Sequence, residues 1–300
     1  MIQSLIEQCP ILLKGQWQVN SLPPLKTLWQ QLGIENADVA AILCARRSWP
    51  STRPTFCLLP VHLGLRRDTF SLQSVVTLTA DEYAALTERL KNHFSDDLVV
   101  HTDESQRYWW IRPLRDMDAY ARWPQDCLYQ QAFQWQPQGA DASVIRQWTN
   151  EMQMLLHDMT YAPAGGHGPD VLNSLWFASV GDLPQSPSSA AIIGGQGAIF
   201  SGLLASQLPG VQSNSMATMW ADKKITNAVW VADQWQSVDW ADIADAIQTG
   251  QVSELNVVLP FAERSVHIQY KKQFRWQFWR KAYTLETLLQ QLETTLSTIR

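Results

Sequence analysis

No two cysteines of this chain stand in a C-x-x-C arrangement: Cys9, Cys44, Cys57 and Cys127 are widely separated. Reduced, structural thiols are therefore expected rather than a paired-cysteine redox motif. Charge is also scarce, at 17% of residues, and the net charge of -5 gives no global attraction for nucleic acid or an anionic membrane. No apolar run approaches the roughly 20 residues of a spanning helix. The first residues, MIQSLIEQCPILLKG, carry Glu7 and lack the early basic region of a secretory signal, so a cytoplasmic protein is expected. G-x-S-x-G, H-E-x-x-H and other nucleophile signatures are missing, as are internal repeats and low-complexity segments.

What the chain has is apolar mass. Hydrophobic residues make up 46% of its 300 positions, enough for one large domain or two smaller ones. Fifteen tryptophans are many for this length, and each buried indole needs a partner for its N–H, so polar pairings inside the core are expected.

Periodicity orders the chain. Leu25, Leu28, Trp29 and Leu32 make a helical face ended by Gly33, and a second helix is expected over 37–45. Phe56 to Gly64 and Thr69 to Val76 read as strands around the charged turn Arg66-Arg67-Asp68. Thr79 and Glu82 form an S/T-x-x-E capping box opening a helix to about Phe94. Strands are expected at 98–102, 107–111, 227–233, 254–261 and 266–271, and helices at 198–208, 239–249 and 285–299. Helices and strands interleave, which predicts an α/β or α+β fold, a mixed sheet flanked by helices. The Pro/Gly/Gln-rich gap Pro137 to Asp141 is the expected boundary between halves 1–137 and 138–300, unless the chain is one continuous domain.

The stretch Asn150 to Pro184 joins an apolar helix, a Gly/Pro loop and a strand. Ile145, Trp148, Met152, Leu155, Leu156 and Met159 share a buried helical face. Pro163 and the run Gly165-Gly166-His167-Gly168-Pro169 then impose a loop, and Leu172 to Val180 forms the strand. His157, His167, Asp158 and Asp170 flank or occupy that loop, where imidazoles and carboxylates could hold a metal or act as acid and base. No fixed spacing enforces this, and a capping His157 with a solvated His167 is the simpler reading. As a ligand-binding loop its candidates are Gly165, Gly166, His167 and Asn173. The glycine cluster 194–202 follows a strand and opens a helix, as phosphate cradles do. Its spacing fits neither the Walker nor the dinucleotide fingerprint, so a close strand-to-helix turn is expected. Arg264 to Lys281 interleaves basic and aromatic residues as single-strand nucleic-acid surfaces do, with Arg275, Trp276 and Arg280 as candidates; the acidic chain argues against that use.

Several segments carry a resemblance. Leu59-Pro-Val-His-Leu-Gly64 with Asp68 to Leu72, Leu78-Thr-Ala-Asp-Glu82, Glu151-Met-Gln-Met-Leu-Leu-His157, Val171-Leu-Asn-Ser-Leu-Trp-Phe177 with Gly181 and Pro184, and Trp276-Gln-Phe-Trp-Arg280 resemble a bacterial family of RpfE-type regulatory proteins, also described as phosphoglycerate-mutase-like. The helix-loop-strand unit is similar to archaeal-type cofactor-independent phosphoglycerate mutases. That likeness implies a phosphoglycerate-mutase-like, alkaline-phosphatase-like scaffold. The mutase pattern H-P-V-N-x-x-R is broken here by Asp158, Met159 and Thr160 after His157, and no arginine precedes the strand. The family's serine nucleophile and two-metal Asp/His clusters have no visible counterpart. The resemblance thus implies a degenerate site on a non-catalytic regulatory or interaction protein, with no cofactor, binding a partner protein or small ligand. The alternative is a metal-dependent phosphoryl-transfer enzyme whose ligands come from His62, His157, His167, Asp158 and Asp170.

Overall fold

The computed structural model describes residues 2–20, 24–34, 38–45, 47, 56–66, 69–128, 130–131, 134–158, 171–183, 192–222, 225, 227–261, 264–271 and 284–298. The fold is mixed α/β, and the chain divides into two compact units, residues 38–183 and residues 1–37 with 184–300. The boundary expected at Pro137 to Asp141 therefore lies inside the first unit. Its backbone is tied down there: Tyr120 and Gln138 exchange 2.9 Å backbone hydrogen bonds, and the Asp141 carboxylate accepts from Asp118 N at 2.9 Å and from Arg115 at 3.0 Å. A Cβ at Gly139, whose φ is +101°, would stand 2.3 Å from the Asp118 carbonyl. Glycine serves a close crossing at this point, which composition alone cannot tell from a linker.

In the 38–183 unit the central strand is β2 (Phe56–Arg66). Its neighbours are β3 (Thr69–Val75), β4 (Leu98–Thr102), β5 (Trp109–Pro113) and β6 (Ser174–Ser179), in the order β3-β2-β5-β4 with β6 also on β2. All these pairs are antiparallel. Residues 56–61 of β2 pair with β6 along one edge; on the other, 56–58 pair with β5 and 61–66 with β3. Pro60 sits where β5 has ended and β3 has not begun, so its missing N–H interrupts no ladder, and its carbonyl still accepts from Val76 N at 2.9 Å.

Two helices, α4 (Ala80–His93) and α5 (Ala142–Asp158), cover one face. The predicted capping box is present, with Thr79 and Glu82 each accepting from the other's backbone N–H. Leu86 and Leu90 of α4 and Ile145, Trp148 and Met152 of α5 bury against Phe56, Leu58, Trp109, Ile111 and Phe177. On the opposite face Cys57, Leu59, Trp110 and Trp176 are buried too, so β2 reads as a continuous apolar run. The helix α3 (Val39–Ala45) is buried along Val39 to Cys44. Burial pushes the Cys57 thiol well above its ordinary pKa, with Asp103, Cys44 and Asp38 adding to the effect.

Asp38 opens α3. Its carboxylate accepts from Ala41 N at 2.7 Å and from Gly181 N at 3.0 Å, and a Cβ on Gly181 would stand 2.5 Å from Oδ2. Desolvation raises the Asp38 pKa above its ordinary 3.8 despite these bonds. A carboxyl whose folded pKa is raised keeps its proton longer in the native state, so its contribution to stability is complete below the unfolded pKa and is lost as pH climbs through the folded one. Asp38→Asn is accordingly expected to gain stability relative to the parent as pH rises from 3 towards neutrality. Guanidinium melts at stepped pH check this, and a difference that is flat or falls with pH would contradict it.

The other unit holds α1 (Ile2–Gln8), β1 (Gln16–Asn20), α2 (Pro24–Leu32), β7 (Ile192–Gln196), α6 (Ala198–Ala205), α7 (Met216–Ala221), β8 (Ala228–Ala232), α8 (Trp240–Thr249), β9 (Glu254–Phe261), β10 (Arg264–Lys271) and α9 (Leu285–Thr298). The antiparallel sheet β1-β10-β9 places Trp17, Val257, Leu259, Val266, Ile268 and Tyr270 on one face. Leu5 and Ile6 of α1, Ile243 and Ile247 of α8, and Leu288 and Leu292 of α9 belong to the same core. β7 and β8 form a separate parallel pair. The pairing of 16–20 with β10 was not readable, because Gln-Trp-Gln-Val-Asn declares itself a strand only once its partner is known.

Four buried thiols agree with the cysteine reading. The expected tryptophan pairings are found at Trp17, Trp109, Trp110, Trp176 and Trp240, whereas the buried Nε1 atoms of Trp123 and Trp230 meet no hydrogen-bond partner among the described residues.

Candidate functional site

The helix-loop-strand unit is present as α5 followed by β6, but residues 159–170 lie outside the described residues, and with them Gly165, Gly166, His167 and Asp170. What the structure shows is how the chain is held on either side. The Val171 carbonyl lies 2.7 Å from His62 Nδ1. Two residues on, the Asn173 side chain accepts from Leu63 N at 2.8 Å through Oδ1 and donates to Leu63 O at 2.9 Å through Nδ2. Asn173 N adds a 3.3 Å contact to Val61 O. On the helix side Gln153 Nε2 donates to Ser174 Oγ at 3.0 Å.

Asn173 thus extends the β2–β6 ladder by one residue with its amide. Both polar ends of that side chain are engaged with Leu63, so its role as a ligand-binding amide gives way to a clamp. The cause is register: β6 pairing with β2 stops at Ser174–Val61, and Leu63 N–H and C=O beyond it need partners.

His62 occupies the more chemical position. The carbonyl of Val171 can only accept, which places the proton on Nδ1 and leaves Nε2 as the acceptor in the neutral ring. That second nitrogen meets no polar atom of the described residues. A register shift in β2–β3 falls between His62 and Leu63, a bulge of the kind that re-aims side chains. His157 lies in the last turn of α5, exposed, where a cation suits the helix C-terminus, and Asp158 ends the helix. No contact joins His62 to His157, and no group of three or more His, Cys, Asp or Glu side chains comes together as a metal site among the described residues.

The glycine cluster resolves differently from a phosphate cradle. Gly194 and Gly195 lie within β7 rather than after it, and only Gly197, with φ of +97°, makes the turn into α6. The Asp233 carboxylate, just beyond β8, accepts from Ala198 N at 2.6 Å and from Ile199 N at 3.4 Å. The helix N-terminus is therefore already neutralised by the protein's own anion, in the place a phosphate would take. Sequence gave no sign of this, because Asp233 arrives 35 residues later across a parallel strand pair.

In the basic-aromatic segment, Lys271 pairs with Glu254 at 3.2 Å, and His267 Nε2 lies 2.9 Å from the buried Ser265 Oγ, with desolvation lowering the imidazole pKa. Arg275, Trp276 and Arg280 lie outside the described residues. Among the described residues no helix is long and apolar enough to cross a membrane.

Comparison with protein-family models, curated proteins and solved structures finds no match. Function has to be argued from the residues.

Proposed function

We propose that the chain is a regulatory or interaction protein of the RpfE type that acts without catalysis and binds a partner protein or small ligand through residues 158–170 and the neighbouring surface. The observation carrying this reading is the double clamp at the end of the segment, His62 on Val171 and Asn173 on Leu63. A Gly/Pro-rich segment carrying His167 and Asp170 is fixed at its exit to the central strand, and binding residues held by a rigid scaffold are the usual arrangement of recognition loops. Exchanging residues 160–169 for glycine and serine of equal length keeps both clamps. Cross-linking in the native cell is expected to yield a defined partner, or native purification a bound ligand, with the parent chain and neither with the exchanged one.

One observation favours a second reading. The Nε2 of His62, the ring nitrogen not engaged by the Val171 carbonyl, suits a metal ligand, which would serve phosphoryl transfer. Stoichiometric manganese or zinc that disappears in His62→Ala, with phosphatase or phosphomutase turnover lost in His157→Ala, would replace the first reading with the second.

A further inference from the structure

A groove of about 510 Å³ runs between α4 and α5. One wall is Arg89, Asn92 and His93, the other Glu151, Met154 and Leu155, each set spaced i, i+3, i+4 so that it forms a single helical face. Beneath the walls Leu90, Phe94, Met152 and Leu156 are core residues, so the groove stands on packed helices.

The charges in it are unevenly spent. Glu151 accepts from Gln147 Nε2 at 2.9 Å and lies 3.5 Å from His93 Nε2, so its carboxylate is engaged on both sides. Arg89 has no ion-pair partner among the described residues. Met154 is 71% exposed, an unbranched thioether left in water on a helix whose other apolar residues are covered or half covered. A cation with no ion-pair partner among the described residues, lining the same groove as an adaptable apolar side chain, selects an occupant that brings both a carboxylate and an apolar group.

We infer that this groove docks an acidic, leucine-bearing helical segment of a partner protein, with a carboxylate on Arg89 and an apolar side chain on Met154 and Leu155. A helix presents a carboxylate and an apolar side chain on one face, the form in which amphipathic segments lie in grooves. None of the six groove residues belongs to the clamp around 159–170, so the docking surface is tested separately from the loop and can stand or fall without it.

The test uses the full chain with methyl-labelled methionine, the Met154 signal being assigned by its loss in Met154→Leu. Three alanine-rich helical peptides are titrated, each with leucine and, four residues away, glutamate, glutamine or lysine. The glutamate peptide is expected to shift Met154 saturably and to bind about fivefold more tightly than the lysine peptide, the size of one exposed charge pair. Arg89→Gln is expected to level the three peptides, and Arg89→Glu to invert their order. Arg89 is exposed on α4, so both variants keep the core intact. An unmoved Met154 signal at millimolar peptide, equal affinities in the parent chain, or an order unchanged in Arg89→Glu would overturn the inference. So would acetate moving Met154 as far as the glutamate peptide does, since that is plain anion binding.

Discussion

Asp103→Ala is expected to destabilise the 38–183 unit by about 3 kcal/mol, near the lower end for breaking a buried charged pairing. The Asp103 side chain is fully buried, and three donors converge on it. Ser105 N at 2.8 Å and Ser105 Oγ at 2.5 Å bind Oδ2, and the Trp110 indole reaches Oδ1 at 3.2 Å. Its own backbone N–H donates to Tyr83 Oη at 2.9 Å, and that hydroxyl donates to Tyr108 O at 2.9 Å. Tyr83 stacks on Trp109 with centroids 4.6 Å apart, and Trp109 donates to Thr87 Oγ1 at 2.7 Å. The carboxylate therefore ties the loop after β4 to β5, while the Asp103 backbone N–H ties it to α4. Removing it strands the Trp110 N–H in the core, and a buried donor left unmade loses its full desolvation penalty.

The magnitude stays near 3 because Arg47 has other partners. Its guanidinium is 3.9 Å from Asp103 Oδ1 but donates to Thr102 O at 2.6 Å and approaches Glu104 at 3.7 Å, so it is not orphaned. Asp103→Asn keeps one acceptor and turns an amide N–H towards the other donors, for an expected loss of about 1–2 kcal/mol. Denaturant melts followed by tryptophan fluorescence decide this. A loss under about 1 kcal/mol for the alanine variant, or asparagine being the worse of the two, would show that the carboxylate is not the centre of the network.

Legibility followed the range over which the signal acts. The Thr79–Glu82 box is complete within four residues and was readable in place; so were the inward faces of α4, α5, α8 and α9, which repeat over two or more turns. Elements fixed by distant partners were not. Gly139 crosses over Asp118, Asp233 reaches α6 from the far side of β8, and Asn173 matters only because β2 runs past the end of β6. His62 and Val171 stand in separate segments, and their bond across 109 positions needs the antiparallel pairing of β2 with β6. Asp103 is not legible in the sequence, because nothing local distinguishes a buried acid from a turn residue in Thr-Asp-Glu-Ser.

These long-range placements also sort the candidate chemistry. A glycine that makes room for a ligand and one that makes room for a strand look alike in sequence, and at 194–197 the neighbours decide: Met219 and Trp230 crowd Gly194, Val231 O and Phe200 crowd Gly195, and Asp233 crowds Gly197. Every one of these is protein, so the cluster is explained by packing and helix capping. His62 differs, since one ring nitrogen holds the chain and the other is left to act.

Gly195→Ala is expected to destabilise the unit containing β7 by about 3 kcal/mol, the upper range for overpacking. An alanine Cβ would stand 2.2 Å from the Val231 carbonyl oxygen and 3.0 Å from the Phe200 ring. Val231 is the register partner of Gly195 in the parallel pair, so its carbonyl belongs to the backbone of β8, and relief requires β7 and β8 to separate. Gly194→Ala makes an internal control, because its Cβ would meet Met219 Sδ at 2.5 Å, the movable part of a flexible thioether, with Trp230 next at 3.0 Å. The loss there should be the smaller of the two. In open space the same change would raise stability by roughly 0.5–1 kcal/mol, since glycine in a strand interior carries excess chain entropy. The sign alone is therefore informative. A Gly195→Ala chain that melts at or above the parent temperature would mean that the residue faces an unfilled space, and would return the glycine cluster to consideration as a ligand cradle.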